Sequence, residues 1–240
     1  MYYDYTYILL VLPTVIFALI AQAMVKSRFA IYSKVANRRG LTGKDVAQAI
    51  LNGAGIYDVT IQPIQGSLTD NYDPRSKEVH LSESVYNATS IAAAGVAAHE
   101  CGHAIQHHVG YGPLTLRNAI IPITNIGSRM SMPLILIGLV VEGLAQTVNG
   151  SDFGYTLIMI GIFAFGLSVL FQLITLPVEF NASHRALKIL GSSNLLDQTE
   201  LSGARKVLWA AAMTYVAAMA QSLAYFLRLI ILFGGRRRDD

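Results

Sequence analysis

Apolar and polar positions along the 240-residue chain fall into long blocks. Residues 8–25 form an apolar run in which Gln22 is the only strongly polar side chain. A helix rising 1.5 Å per residue makes that run just long enough to cross a bilayer core. Two further apolar runs cover 130–148 and 155–176, and a fourth covers 207–232. Between the first and second runs the polarity is mixed, as in a small folded domain. There, Thr42 with Asp45 predicts a capped helix to about Leu51, closed by Gly53-Ala54-Gly55. Val59-Thr60-Ile61 reads as a short strand ended by Pro63. After the turn-rich Asp70-Asn71-Tyr72-Asp73-Pro74, residues 77–82 alternate as a half-exposed strand. Residues 90–108, rich in alanine and free of proline, predict one helix.

Charge orients these blocks. No cation precedes the first run, whereas Lys26, Arg28, Lys34, Arg38 and Arg39 follow it, which places the N-terminus outside and the next segment in the cytoplasm. A cleaved signal peptide is the rival reading, since Ala21-Gln22-Ala23 resembles a cleavage site, but the basic leading region is missing. Residues 149–154 carry no cation and include Asp152, as expected of a tight hairpin on the far side. The chain then returns at Pro177 to the side of the mixed domain. The fourth run contains Gln221 and Arg228, and a full crossing would place Arg236, Arg237 and Arg238 outside. It either spans, packs on the polar domain or lies in the interface.

Composition agrees with this picture. Charged residues are 14% and apolar ones 53% of the chain, against about 25% and 45–50% in soluble domains. Mean hydropathy is +0.45 and the pI about 9.0. The basic residues are scattered or flank apolar runs, which suits lipid headgroups and argues against a nucleic-acid partner. The single cysteine, Cys101, excludes an internal disulfide and reads as a packed small residue.

Candidate chemistry sits in the alanine-rich helix, at His99-Glu100-Cys101-Gly102-His103. Histidines four apart project from one helix face and can bind one metal ion, and zinc takes imidazole nitrogen readily. A catalytic zinc site needs three protein ligands and an open position. Glu100, beside the pair but not needed as a ligand, would serve as general base toward water activated by the metal. The metzincin continuation is excluded by Gln106 and Val109. His107 and His108 continue the helix, but three histidines in line cannot close around one ion. The third ligand is therefore sought among Glu142, Asp152, Glu179, Asp197 and Glu200. Glu142 and Asp152 fall on the wrong side of the membrane for His99, and Asp197 and Glu200 in a polar connector. Glu179 stands where the third run emerges on the catalytic side, at the head of a predicted helix. An intramembrane protease of the site-2 type is disfavoured, because residues 90–108 lack a continuous apolar span and no Leu-Asp-Gly aspartate follows.

Several motifs point further. Asp70-Asn71-Tyr72-Asp73-Pro74-Arg75-Ser76-Lys77, Leu81-Ser82-Glu83, Gly95-Val96-Ala97-Ala98-His99-Glu100 and Thr175-Leu176-Pro177-Val178-Glu179-Phe180 resemble the YugP-like neutral zinc metallopeptidases of bacterial membranes. The likeness runs over nearly the whole chain and extends, more distantly, to HtpX-type and CAAX-prenyl proteases. It implies one zinc ion per chain on His99, His103 and Glu179, with Glu100 catalytic. Ser183 stands where the distant relatives carry aspartate and would hydrogen-bond a ligand imidazole as a neutral partner. Asn181 and Asn71 replace the aspartate and histidine usual in the close family. Resemblance to zincins further implies that Val79, His80 and Leu81 form a sheet edge that pairs with an extended substrate. His184, Arg185 and Tyr215 are candidate donors to the oxyanion of the reaction.

The expectation is an α-helical membrane protein with three to four transmembrane helices and a small α+β zincin-like catalytic domain. Residues 1–25 are the anchor, 26–117 and 177–206 the catalytic domain, 118–176 a membrane hairpin, and 207–240 a hydrophobic helix with a basic tail. It would sit in a bacterial plasma membrane with its catalytic domain on the cytoplasmic face. It would cleave peptides or membrane-protein segments at a bound Zn²⁺, with oligomerisation left open. A non-catalytic zinc-binding membrane scaffold is the competing class, and Glu100 argues against it, since a structural site has no use for a base.

Overall fold

A computed structural model of the chain describes residues 5–145 and 153–235. After a π-helical turn at Tyr7–Val11 come α1 (Leu12–Tyr32), α2 (Gly43–Gly53), β1 (Thr60–Ile64), β2 (Asn71–Asp73), β3 (Glu78–Ser82) and α3 (Glu83–Tyr86). There follow α4 (Ile91–His108), α5 (Gly112–Ala145), α6 (Phe153–Ser192) and α7 (Gln198–Phe233). Among the described residues, four segments are long and apolar enough to cross a membrane: Tyr7–Tyr32, Gly112–Leu144, Phe153–Ser192 and Gln198–Phe233. The fourth apolar run is therefore part of a helix of spanning length, and α4 is not among the four. Most of the hairpin expected at 149–154, Asp152 included, lies outside the described residues, as do Arg236, Arg237 and Arg238.

The chain divides into two compact units. One comprises Met1–Leu19, Leu116–Thr175 and Val216–Asp240. In it α5 and α6 approach through small residues. A Cβ on Gly138 would lie 2.7 Å from the Gly154 carbonyl oxygen, and the buried Ser131 hydroxyl donates to the Gly161 carbonyl at 2.9 Å. Around this seam Ile135, Ile158, Ile162 and Leu229 are buried, whereas Leu136, Ile137, Val140 and Phe163 face outward. Apolar side chains outside and small ones between helices are what lipid surroundings favour.

The other unit comprises Ile20–Thr115 and Leu176–Tyr215. Its core is built on α4, where Ala92, Ala93, Ala94, Ala97 and Ala98 are all buried. A helix covered on every side has room only for such small residues. Val46, Ala47, Ile50 and Leu51 of α2 belong to the same core. The Thr42 hydroxyl accepts from the Asp45 N–H at 3.1 Å and Asp45 accepts from the Thr42 N–H at 2.9 Å, closing a capping box. Ser90 starts α4 by accepting from the Ala93 N–H at 3.1 Å.

Five local expectations need correction. The sheet order is β1-β3-β2, with β3 parallel to β1 and antiparallel to β2. Val79, His80 and Leu81 thus lie on the central strand, with hydrogen-bonded neighbours on both sides, and form no open sheet edge. The turn-rich segment at 70–74 supplies the second edge strand, β2, and Pro63 lies within β1 instead of ending it. Proline is tolerated there because an edge strand leaves one row of backbone groups unpaired. Finally, α6 and α7 outrun their apolar patterns. Pro177 sits inside α6, where its missing N–H removes one helical bond without ending the helix, so Glu179 is interior to a helix instead of at its head. The polar connector expected up to Lys206 contains the first turns of α7, which begins at Gln198.

Candidate metal centre

Helix α4 presents His99, Glu100 and His103, and α6 presents Glu179 and Ser183. Their approach depends on Gly102, where a Cβ would lie 2.7 Å from the Ala182 carbonyl oxygen. No residue with a side chain fits there without forcing the two helices apart. The Glu179 Oε2 atom lies 3.3 Å from His99 Nε2 and 3.5 Å from His103 Nε2, and the imidazoles stand edge to face with centroids 4.8 Å apart. Among the described residues these three make the one group of His, Cys, Asp or Glu side chains close enough to share an ion.

A chain of hydrogen bonds orients His103. Arg185 Nε can only donate, and it lies 2.8 Å from Asn181 Oδ1. That oxygen also accepts from Gln106 Nε2 at 3.0 Å, while the Val178 carbonyl accepts from the same nitrogen at 2.8 Å. The fully buried Gln106 amide must therefore turn its oxygen to His103 Nδ1, 3.0 Å away. Nδ1 then carries the proton and Nε2 presents its lone pair toward Glu179. On the other imidazole, His99 Nδ1 lies 3.1 Å from the Ser183 hydroxyl, so its Nε2 faces the carboxylate too.

Electron pairs directed at one another across such distances repel unless a cation lies between them. Tetrahedral zinc with nitrogen and oxygen bonds of about 2.0–2.1 Å has donor–donor edges of about 3.3–3.4 Å. The two histidine–carboxylate separations lie near that edge, all three ligand atoms fall within 4.8 Å of one another, and two imidazoles with one carboxylate are a donor set zinc accepts. The residues present thus fit a zinc ion.

Glu100 is buried, and burial pushes its carboxyl up to about 7, with Glu179 and Asp70 acting in the same direction against His99 and the Tyr72 backbone N–H. His99, Glu100, Asp70 and Tyr215 line a common cleft of about 240 Å³. Of the three candidate oxyanion donors, only Tyr215 lines this cleft. Arg185 is engaged with Asn181 and lies over the Tyr111 ring, and His184 lines a separate cavity with Phe180 and Trp209.

The remaining candidates have other duties. His107 Nδ1 is 2.8 Å from the Tyr72 hydroxyl. Asp197 accepts from the Thr199 and Glu200 N–H groups at the start of α7 and pairs with Arg38 at 2.8 Å. Glu200 accepts from the Arg38 N–H at 2.6 Å. Cys101 is buried, with its thiol near the Ala47 carbonyl. Sequence reasoning used Gln106 only to exclude another ligand pattern and missed its grip on His103. An amide three residues beyond His103, on the same face of the helix, was the available signal.

Comparison with known proteins agrees with this geometry. Residues 7–234 match the sequence profile of a family described as "Putative neutral zinc metallopeptidase". The chain belongs to this family. It is also 46% identical over 220 residues to "Putative membrane protease YugP" of Bacillus subtilis (strain 168), covering 92% of this chain and 93% of that one. No solved structure matches it. Family membership and four helices of spanning character make it a membrane protein of the zinc metallopeptidase class.

Proposed function

We propose that the protein is a membrane-bound metalloendopeptidase in which His99, His103 and Glu179 hold one zinc ion and Glu100 is the general base. The observation that carries this reading is the convergence of His99 Nε2 and His103 Nε2 on Glu179 Oε2 at 3.3 and 3.5 Å, with the three ligand atoms all within 4.8 Å of one another. Zinc bound there supplies a Lewis acid that polarises a peptide carbonyl and acidifies water. Gln106 and Ser183 hold the two imidazoles in orientation, and Gly102 sets the spacing of the helices that carry them. Glu100, on the wall of the cleft, takes the proton of the attacking water and passes it to the leaving amine. Tyr215, on the same wall, is the favoured donor to the oxyanion. The cations after the first apolar run favour a cytoplasmic site in a bacterial plasma membrane.

The test is cleavage of a casein-type or membrane-protein substrate by wild type and Glu100→Gln at equal zinc content. Removal of a general base lowers turnover about 10²–10⁴-fold, and the amide should leave zinc binding intact. Equal cleavage by the two proteins contradicts the proposal and favours a zinc-binding scaffold.

A further inference from the structure

The cleft beside His99 and Glu100 has a mainly apolar wall. Val25 of α1, Val96 of α4, Val207, Leu208 and Ala211 of α7, and Leu68 of the β1–β2 loop line its 240 Å³. An apolar cavity of about 150 Å³ admits a benzene-sized guest, so this space holds one leucine- or phenylalanine-sized side chain. Two carboxylates, Asp70 and Glu100, also line it, and Asp70 is already engaged. Asp70 accepts from the Ser82 N–H at 2.7 Å and the Ser82 hydroxyl at 3.0 Å. An acidic guest would be repelled there, and a basic one would compete with bonds already made.

Leu68 is the unusual member of this wall. It lies in the left-handed region, at φ +58°, which a branched side chain enters only at a steric cost. Yet it is 41% exposed, so burial of its own side chain does not offset that cost. The loop is tied down on both sides of it. Ser67 Oγ lies 3.1 Å from Ser84 Oγ, the Thr69 hydroxyl donates to the Gln65 carbonyl at 3.0 Å, and Asp70 holds Ser82. An exposed apolar side chain, kept in a strained conformation beside the base, is placed to touch a ligand.

We propose that Leu68 and Ala211 set the specificity of the cleft. Leu68 packs onto one bulky apolar side chain of the bound peptide, next to the bond at Glu100, and Ala211 leaves the room that chain occupies. The peptides accepted carry leucine, methionine or phenylalanine at that position, as segments drawn from membrane proteins commonly do. Calling the peptide a substrate rests on the metallopeptidase reading, whereas its binding does not.

The test uses the full chain in detergent micelles, with Glu100→Gln in every protein so that binding is read without turnover. Fluorescent Gly-Ser peptides carrying one central Phe, Ala, Lys or Asp are titrated by anisotropy. The Phe peptide should bind about tenfold more tightly than the Ala peptide, with Lys and Asp no better than Ala. Ala211→Phe should fill the pocket and reduce the Phe preference to less than about twofold while Ala-peptide affinity holds. Leu68→Asn suits the left-handed backbone, so its melting temperature should be equal or higher while the Phe preference falls about threefold. Equal binding of Phe and Ala peptides, a preference for Lys or Asp, or an undiminished Phe preference in either variant overturns the proposal. These outcomes do not depend on catalysis, and equal cleavage by wild type and Glu100→Gln bears on the peptidase reading alone.

Discussion

The two compact units are held together by different forces. In the unit built from Met1–Leu19, Leu116–Thr175 and Val216–Asp240, order comes from close approach at glycine and serine, with few buried side chains and an apolar exterior. In the unit built from Ile20–Thr115 and Leu176–Tyr215, a large alanine-rich core surrounds directed polar bonds, from Arg185 through Asn181 and Gln106 to His103. Close packing in lipid tolerates many apolar substitutions, provided the seam stays small. A metal site tolerates few, because each imidazole must present one nitrogen in one direction. Chemistry therefore resides where orientation is enforced by hydrogen bonds, and the packed helical seam contributes order without it.

That contrast can be broken in the order of expected effect. Glu179→Ala removes the proposed third ligand from the directed unit, and zinc affinity should fall by more than the about 100-fold typical of losing an outer partner. Isothermal titration with zinc measures it, and retention of one tightly held zinc would remove Glu179 from the site. Gln106→Leu keeps the proposed ligands but frees His103, while Arg185 still donates to Asn181, so affinity should fall about 10–100-fold in the same titration. An unchanged value would mean that the imidazole needs no support from behind. Gly138→Val strikes the other unit, where its Cβ would lie 2.7 Å from both the Gly154 carbonyl oxygen and Ile158 Cγ1 and 2.9 Å from the Ile158 nitrogen. It should destabilise the protein by about 1–3 kcal/mol, read as a lower melting temperature in detergent, while zinc content stays at one per chain. Loss of zinc in that variant would show that the two kinds of order are not separable.

Much of this was legible in the sequence, for reasons of locality. The pair His99 and His103, the Thr42 box and the Ser90 cap each depend on residues three or four apart on one helix, and such spacings survive any tertiary arrangement. Glu179 stood out because apolar run lengths and cation placement constrain which side of a membrane a residue reaches. Strand order was not legible. Residues 77–82 alternate as an edge strand would, but which neighbours they take depends on pairing with β1 and β2 far along the chain. Pro177 likewise reads locally as a break, whereas packing of α6 against α4 at Gly102 and Ala182 holds the helix through it. Gln106 was missed because its function exists only once Val178 and Asn181 are brought beside it.

The measurement closest to the central claim is X-ray absorption at the zinc edge, on full-length protein loaded with one equivalent of zinc. The expected shell contains two imidazole nitrogens and carboxylate oxygen at about 2.0–2.2 Å, and the imidazole signature should fade in Glu179→Ala. A sulfur scatterer at about 2.3 Å, which only the Cys101 thiolate would bring from the centre of this helix, or an oxygen-only shell would contradict a site made of His99, His103 and Glu179.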